Sequence, residues 1–322
     1  MRSLTEAPDT GRMVRMRILV TGGAGFIGSH ITDRYLADGH DVAVIDDLST
    51  GRVENVNPQV QFCRLDIADL EPLEEVFARL RPQVVNHHAA QLDVRKSVAD
   101  PLFDARVNII GSLNLLEMAR RYGTRRFIFS SSGGCVYGES QNLPTSESEK
   151  RNPLSPYGVA KVTVEHYLES YRAIFGLDYV VLRYSNVYGP RQDSKGEAGV
   201  IAIFVGRIME GKPCIIYGDG RQTRDYVFIG DVVQANVRAI LGKTGVYNIG
   251  TGKETSVNGL VDILESVTKH KVERVYEKPR PGELLRNCLA VGRARSLLEW
   301  QPGTPLERGI KLTFQYFQSR SA

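Results

Sequence analysis

The sequence predicts a doubly wound α/β fold: a parallel sheet covered by helices on both faces, with a smaller C-terminal α/β lobe. Three observations carry this expectation. Short, almost continuous apolar runs alternate with helical segments from about Met16 to Asn186, the first run leads straight into a glycine-rich turn, and beyond Asn186 the rhythm loosens into Gly- and Pro-rich stretches. Strands that are apolar at nearly every position are buried on both faces, as in parallel sheets and not in sandwiches.

Taken in order, residues 1–15 mix Pro, Gly and charge without an apolar period and are expected to form a disordered leader. There follow a strand RILVTG, a helix from Phe26 to Asp38, strands DVAVID and QFCRLD, a helix from Leu73 to Leu80, and a strand VVNHH. A helix begins after Pro101, with Val107, Ile110, Leu113, Leu116 and Met118 as its apolar positions, and a strand RFIFSS succeeds it. The next helix runs from Tyr157 to Phe175, where Gly176 stops it before the strand YVVLRY. The expected division is a dinucleotide-binding domain over 16–186, with a return near 229–250 that includes VYNIG, and a ligand-binding lobe over 187–228 and 251–322.

Composition narrows the function. Hydrophobic residues make up 42% and charged residues 24% of 322 positions, and the net charge is only +4, with Arg2, Arg12, Arg15 and Arg17 crowded at the N-terminus. The folded body thus has little excess positive charge for nucleic acid, and a small-molecule ligand is expected. No apolar run reaches the roughly 18 residues of a membrane span and no signal-peptide stretch is present, so the expected location is the cytoplasm. Cys63, Cys135, Cys214 and Cys288 lie far apart, without metal-ligand spacing, and His87-His88 ends a strand whose neighbouring side chains point to opposite faces. No metal is expected.

The turn Thr21-Gly22-Gly23-Ala24-Gly25-Phe26-Ile27-Gly28 places glycines at intervals of three between a strand and a helix. Without side chains there, a pyrophosphate can approach the backbone, and the helix N-terminus offers free N–H groups and a positive dipole end. The second strand ends in Asp46-Asp47, whose carboxylates suit the ribose hydroxyls of NAD and repel the extra phosphate of NADP, although Arg52 stands nearby. Asp66, followed by Ile67, closes the next strand and is either an adenine contact or a cap.

Tyr157 and Lys161 lie one helical turn apart, and Ser130-Ser131-Ser132 end the preceding strand, where open α/β sheets bind their ligands. A neighbouring ammonium lowers a tyrosine's pKa from about 10, which makes Tyr157 a candidate proton acceptor. Arg224 and Arg280, in Gly- or Pro-flanked segments, are candidate partners for phosphate.

TGGAGFIGSH, Asp46-Asp47, SSSGGCVYGE, SPYGVAK, LRYSNVYGPR and TRDYVF, in this order, resemble the extended short-chain dehydrogenase/reductases, and in particular their UDP-sugar 4-epimerase branch. The likeness covers nearly the whole chain from Met16. It implies a Rossmann-type sheet, NAD as cofactor and a UDP-sugar as substrate. Ser132 would hydrogen-bond the sugar 4-OH, with Ser131 as the alternative, Tyr157 would be the base, and Lys161 would hold the nicotinamide ribose. Ala89 and Ala90 would lie against the cofactor, and Asn108 and Tyr184 would line its nicotinamide half; Asn108 could equally be a buried amide satisfied by backbone.

On the substrate side the resemblance puts Asn186, Arg224 and Arg280 at the diphosphate, Glu283 at the uridine ribose, and Val200 with Tyr217 near the uracil. Asn287 stands where a bulkier residue restricts the site to hexoses without an N-acetyl group, so acetylated UDP-hexoses are expected to be accepted too. The implied reaction is inversion at C4 through a 4-keto sugar. Related 4,6-dehydratases carry an Asp-Glu pair after the Ser/Thr, and decarboxylases a glutamate, where this chain has Gly133-Gly134. A non-catalytic NAD(H) sensor, which would have lost the Tyr or the Lys, is the alternative from another class. The family often dimerises through the helix bearing Tyr and Lys; Leu113, Leu116, Tyr167 and Tyr171 either serve such a contact or belong to the core.

Overall fold

A computed structural model describes residues 15–194, 199–280 and 284–321. The leader, up to residue 14, and Glu283 lie outside the described residues. Seven parallel strands form one sheet: β1 (Arg17–Thr21), β2 (Asp41–Asp46), β3 (Gln61–Arg64), β4 (Val84–His87), β5 (Arg126–Ser132), β6 (Asp178–Tyr184) and, after the short β7 (Asn186–Tyr188), β8 (Cys214–Tyr217), β9 (Thr223–Arg224) and β10 (Tyr226–Phe228), β11 (Gly245–Ile249). Their spatial order is β11-β6-β5-β4-β1-β2-β3, so the direction of winding reverses between β1 and β4. In such a sheet the crevice at the reversal is the ligand site.

Alternation along the strands builds two apolar layers. Ile18 and Val20 face α1 (Phe26–Ala37) and α8 (Ile229–Leu241), whereas Leu19, Ala43, Ile45, Val85 and Phe127 face α2 (Leu70–Leu80), α5 (Gly111–Arg121) and α6 (Pro156–Phe175). A third cluster joins α7 (Val200–Met209), β8, α9 (Val257–Thr268) and α11 (Leu306–Ser321) in the second lobe. There β8 pairs with β13 (Arg274–Glu277), β7 with β10, and β9 with β12 (Thr255–Ser256). The chain crosses back through α10 (Gly292–Leu297), and Trp300 then buries its ring in the first layer while its indole N–H donates to Asp231 O at 2.8 Å.

Local chemistry accounts for most boundaries. Ser155 caps α6 by accepting from Gly158 N at 3.2 Å, Pro156 follows as its first residue, and Gly176 ends it at φ +71°. Helix α2 starts at Leu70, a turn before the expected Leu73, because its first turn is exposed and shows no apolar period. The short α3 (Val94–Ala99) was not foreseen; its signal is Asp93, which accepts from Arg95 N and Lys96 N.

The helix expected after Pro101 is α4 (Pro101–Ala105), a π turn over Arg106–Ile110, and α5. Its buried face differs from the one the apolar residues marked. Asp104, Asn108, Gly111 and Ser112 turn inward together with Leu115, Leu116 and Ala119, while Ile110 is exposed and Val107 and Leu113 are half-buried. The first half of this face is polar because its groups bond one another and the end of β4, so hydrophobic periodicity points to the wrong side there, whereas Leu116 and Met118 are buried as expected. Leu116 and Tyr171 are core residues and Leu113 packs on them, whereas Tyr167 is exposed.

Among the described residues, no helix is long and apolar enough to cross a membrane, and no three His, Cys, Asp or Glu gather as a metal site. His87 is buried between Thr21 Oγ1 at 2.7 Å and Ser112 Oγ at 2.9 Å, while His88 stacks on Tyr184 with ring centroids 6.1 Å apart. Each histidine is held below its ordinary pKa by burial, His88 down to about 3.

One charge pair is wholly interior. Glu165 of α6 accepts from Arg183 Nε at 3.0 Å and from Ser131 Oγ at 2.6 Å, and Arg183 Nη1 reaches the Tyr137 hydroxyl at 2.7 Å. Glu165→Ala strands the Arg183 guanidinium and is expected to lower the unfolding free energy by about 3–5 kcal/mol. Urea denaturation reads this, and an unchanged midpoint at unchanged slope would show that the pair is not what ties α6 to the sheet.

Candidate active site

The glycine turn after β1 is shaped by what it touches. Gly22 adopts φ +69° and donates to Ile45 O at 2.8 Å; a Cβ on it would lie 2.6 Å from Ala89 N. A Cβ on Gly28 would lie 2.2 Å from Gly22 O, so the helix closes onto the turn only without a side chain there. Gly25 precedes α1 without a side-chain cap, and no acidic residue occupies the first turn. The N–H groups of Phe26 and Ile27 therefore sit at an uncapped positive helix end, which fits a pyrophosphate.

Asp46 anchors this cradle: one carboxylate oxygen accepts from Ala24 N at 3.0 Å and the other from Leu48 N at 2.8 Å. Burial raises its pKa, and those backbone donors pull it back. Asp47 is exposed and accepts from Ser49. Arg52 extends to Asp193 at 3.2 Å, so its charge is answered by the opposite lobe. Asp66 both caps the backbone, accepting from Ala68 N at 2.9 Å, and meets Arg106 at 3.1 Å, while Ile67 packs where a Cβ on Gly111 would fall.

Ala89 and Ala90 lie on the segment after β4, where Ala89 N donates to Thr21 Oγ1 at 3.2 Å. Asn108 is 4% exposed and its amide is engaged within the protein: Nδ2 donates to Gln91 O and Asp104 Oδ1, each at 2.9 Å, and Oδ1 accepts from Gln91 N at 3.0 Å. Tyr184 is buried, and its hydroxyl accepts from Asn236 Nδ2 at 2.9 Å.

The two serines at the end of β5 part company. The Ser131 hydroxyl is committed to Glu165, whereas Ser132, half-buried, interacts with the Tyr157 phenol and the Cys135 thiol. Burial raises the Tyr157 pKa, Cys135 and the Asp104 carboxylate raise it further, and the neighbouring Ser132 hydroxyl lowers it. Lys161 is 5% exposed; Nζ donates to Ser130 O at 2.9 Å and lies 5.6 Å from the centre of the Tyr157 ring. Burial lowers its pKa to about 8, against the opposing pull of the Asp104 and Glu165 carboxylates and of Cys135. A hydroxyl, a phenol and an ammonium thus meet at the strand ends beside the glycine turn, an arrangement suited to moving one proton to and from a bound alcohol.

The second lobe brings its predicted residues together through short strand pairings. Tyr226 is in register with Asn186, which donates its backbone N–H to Asp225 O at 2.9 Å, placing Asn186 beside Arg224. Asn287 N donates to Thr223 O at 3.3 Å, and its side-chain Nδ2 reaches Gly133 O at 3.2 Å, immediately after Ser132. The Arg280 guanidinium lies 3.9 Å over the Tyr217 ring, and Val200 opens α7 beside the third apolar cluster. Sequence reasoning missed Asp225, fully buried, whose carboxylate accepts from Thr251 N at 2.7 Å, Gly252 N at 3.1 Å and Leu289 N at 3.2 Å, binding the Arg224 and Asn287 segments into one body. It also missed Asp104, which no motif marked.

Residues 18–250 match the NAD dependent epimerase/dehydratase family. The chain is 46% identical over 313 residues to the UDP-glucose 4-epimerase of Mycolicibacterium smegmatis, covering 95% of this chain and all of that one. It is similar to the solved UDP-glucose 4-epimerase of Thermotoga maritima with UDP-glucose, at 49% identity and a TM-score of 0.94, over 95% of this chain and 100% of that chain. A Thermus thermophilus UDP-glucose 4-epimerase in complex with NAD superimposes with a TM-score of 0.90 at 44% identity, over 94% and 99% of the two chains.

Proposed function

This chain belongs to the NAD dependent epimerase/dehydratase family, and on that premise we propose that it interconverts UDP-glucose and UDP-galactose by inverting C4 of the sugar through a 4-keto intermediate. The observation that carries this reading is the meeting of Ser132, Tyr157 and Lys161 at the strand ends next to the glycine cradle. When bound, NAD supplies reversible two-electron oxidation of the sugar at C4. The glycine turn with Phe26 and Ile27 holds its pyrophosphate, Asp46 and Asp47 its ribose, Asp66 and Ile67 its adenine end, and Ala89, Ala90 and Tyr184 its nicotinamide half. Asn108 acts by holding the backbone at Gln91.

Tyr157 accepts the proton of the sugar 4-OH and returns it after the keto sugar has turned over in the site. Ser132 orients that hydroxyl. Lys161 grips the nicotinamide ribose and, as an ammonium 5.6 Å from the centre of the Tyr157 ring, favours the phenolate. Asn186, Arg224 and Arg280 hold the diphosphate, Glu283 the uridine ribose, and Val200 with Tyr217 the uracil. Elimination of water is disfavoured on this chain: Gly133 and Gly134 follow Ser132, so no acid or base stands where dehydratases carry their Asp-Glu pair, and a Cβ at Gly133 would lie 2.4 Å from Leu289 Cδ1. Pairing of two copies through the outward apolar side chains Leu102, Ile110, Val159 and Tyr167 belongs to the same reading.

Purified protein incubated with UDP-galactose, without added cofactor, is expected to yield UDP-glucose up to an equilibrium mixture, read by chromatography. Tyr157→Phe and Lys161→Met are each expected to slow this by about 10²–10⁴-fold. Full activity in Tyr157→Phe would remove the tyrosine from the mechanism.

Asn287 supports acceptance of N-acetylated UDP-hexoses as well. It is a mid-sized side chain, 5% exposed, whose Oδ1 has no partner among the described residues, beside the loop that carries Ser132. Turnover of UDP-N-acetylglucosamine is expected in the parent protein and is expected to vanish in Asn287→Tyr while UDP-galactose still reacts. No turnover of the acetylated sugar by the parent would refute this extension alone.

A further inference from the structure

Asp104 is a buried carboxylate with 1% exposure, held on α4 by neutral donors: Gln91 Nε2 and Asn108 Nδ2 both donate to its Oδ1 at 2.9 Å. Helix α4 packs on α6, and Asp104 lines a cavity together with Pro156 and Ala160 from the first turns of α6, the turns that carry Tyr157 and Lys161. The π turn over Arg106–Ile110 follows directly and presents Asn108 to the same cluster. A lone carboxylate in such a place costs stability unless a cation answers it.

The charged and titratable groups that face Lys161 are few. His87 and His88, at the end of β4, are kept neutral by burial. Cys135, after β5, is a thiol whose pKa burial raises. Glu165, on the same helix, is already matched by Arg183 and Ser131, and Tyr157 is the proton acceptor itself. Among the described residues facing Lys161, this leaves Asp104 as the carboxylate not already neutralised by an arginine.

We propose that Asp104 is a positioning residue for the proton-transfer pair: held by Gln91 and Asn108 against the first turns of α6, its carboxylate keeps Lys161 an ammonium and sets the pH window in which Tyr157 moves between phenol and phenolate. The inference rests on the assignment of Tyr157 as the base. No bond to substrate is made by Asp104, and the proton travels only between the sugar hydroxyl and Tyr157. Its negative charge raises the pKa of both Tyr157 and Lys161. Removing that charge therefore lowers both, so the whole pH–rate bell moves toward acid, whereas a merely structural residue would lower its height and leave its limbs in place.

The test is a pH titration of tyrosinate absorbance in the NAD-loaded protein, with each variant's Tyr157→Phe counterpart subtracted. Asp104→Asn is expected to move the Tyr157 transition to lower pH by about one unit, and both limbs of the kcat profile for UDP-galactose with it. Asp104→Glu retains the charge and is expected to titrate as the parent does. If Asp104→Asn does not fold, Asp104→Ser serves, with the same shift expected. A transition that stays in place in the uncharged variants, an equal shift in Asp104→Glu, or a parent protein without a Tyr157 transition overturns the proposal. The titration needs no substrate: a shift in a protein that fails to convert UDP-galactose would defeat the proposed reaction and leave the role of Asp104 standing.

Discussion

Burial of Glu165 beneath the end of β5 is the interaction on which the site depends. A carboxylate with no exposed surface is tolerable only if its partners are fixed, and here they come from three directions: Ser131 on β5, Arg183 on β6, and, from the loop before α6, Arg151 at 3.4 Å. Arg183 passes the constraint to Tyr137, Tyr137 to Asn248 on β11, and Asn248 to Thr145 O, beside the segment that carries Cys288 and Ala290. One connected polar network thereby sets the height of α6 on the sheet, and with it the places of Tyr157 and Lys161 above the strand ends. The same network commits Ser131 and leaves Ser132 to face the crevice.

The crevice combines that rigid side with a cradle defined by missing atoms. Gly22 and Gly28 let the first turn, the segment after β4 and the start of α1 approach within van der Waals contact, and Asp46 locks the turn from below. Across it the second lobe touches the first at the outside of α1, where Arg191 meets Asp33 at 2.7 Å and His30 contacts Pro190 O at 2.9 Å. These contacts hold the segment after β7 against the helix that follows the glycine turn. Arg52, the residue that had kept an NADP alternative open, is turned to Asp193 in the same region.

Electrostatics in the crevice follow from burial. Burial lowers the Lys161 pKa and raises that of Tyr157, each away from its charged form, so a charge in the crevice is stable only with countercharges around it. This is why polar residues occupy the inner face of α4, the π turn and the start of α5, in defiance of the apolar pattern expected of a buried helix.

The amino-acid sequence by itself determined the sheet and the glycine turn, and it named Ser132, Tyr157 and Lys161 as the candidate reacting groups. Alternation of apolar runs, the helix start at Ser155-Pro156, the stop at Gly176 and the Tyr157/Lys161 spacing are local, and local physics reads them. The tertiary structure decided what depends on residues far apart in the chain. It committed the Ser131 hydroxyl to Glu165 and left Ser132 as the candidate, turned the Asp104 face of α4 inward, and brought Asn287 to Gly133 across 154 positions. Such choices are set by which buried polar group finds which partner, and neither spacing nor composition encodes that.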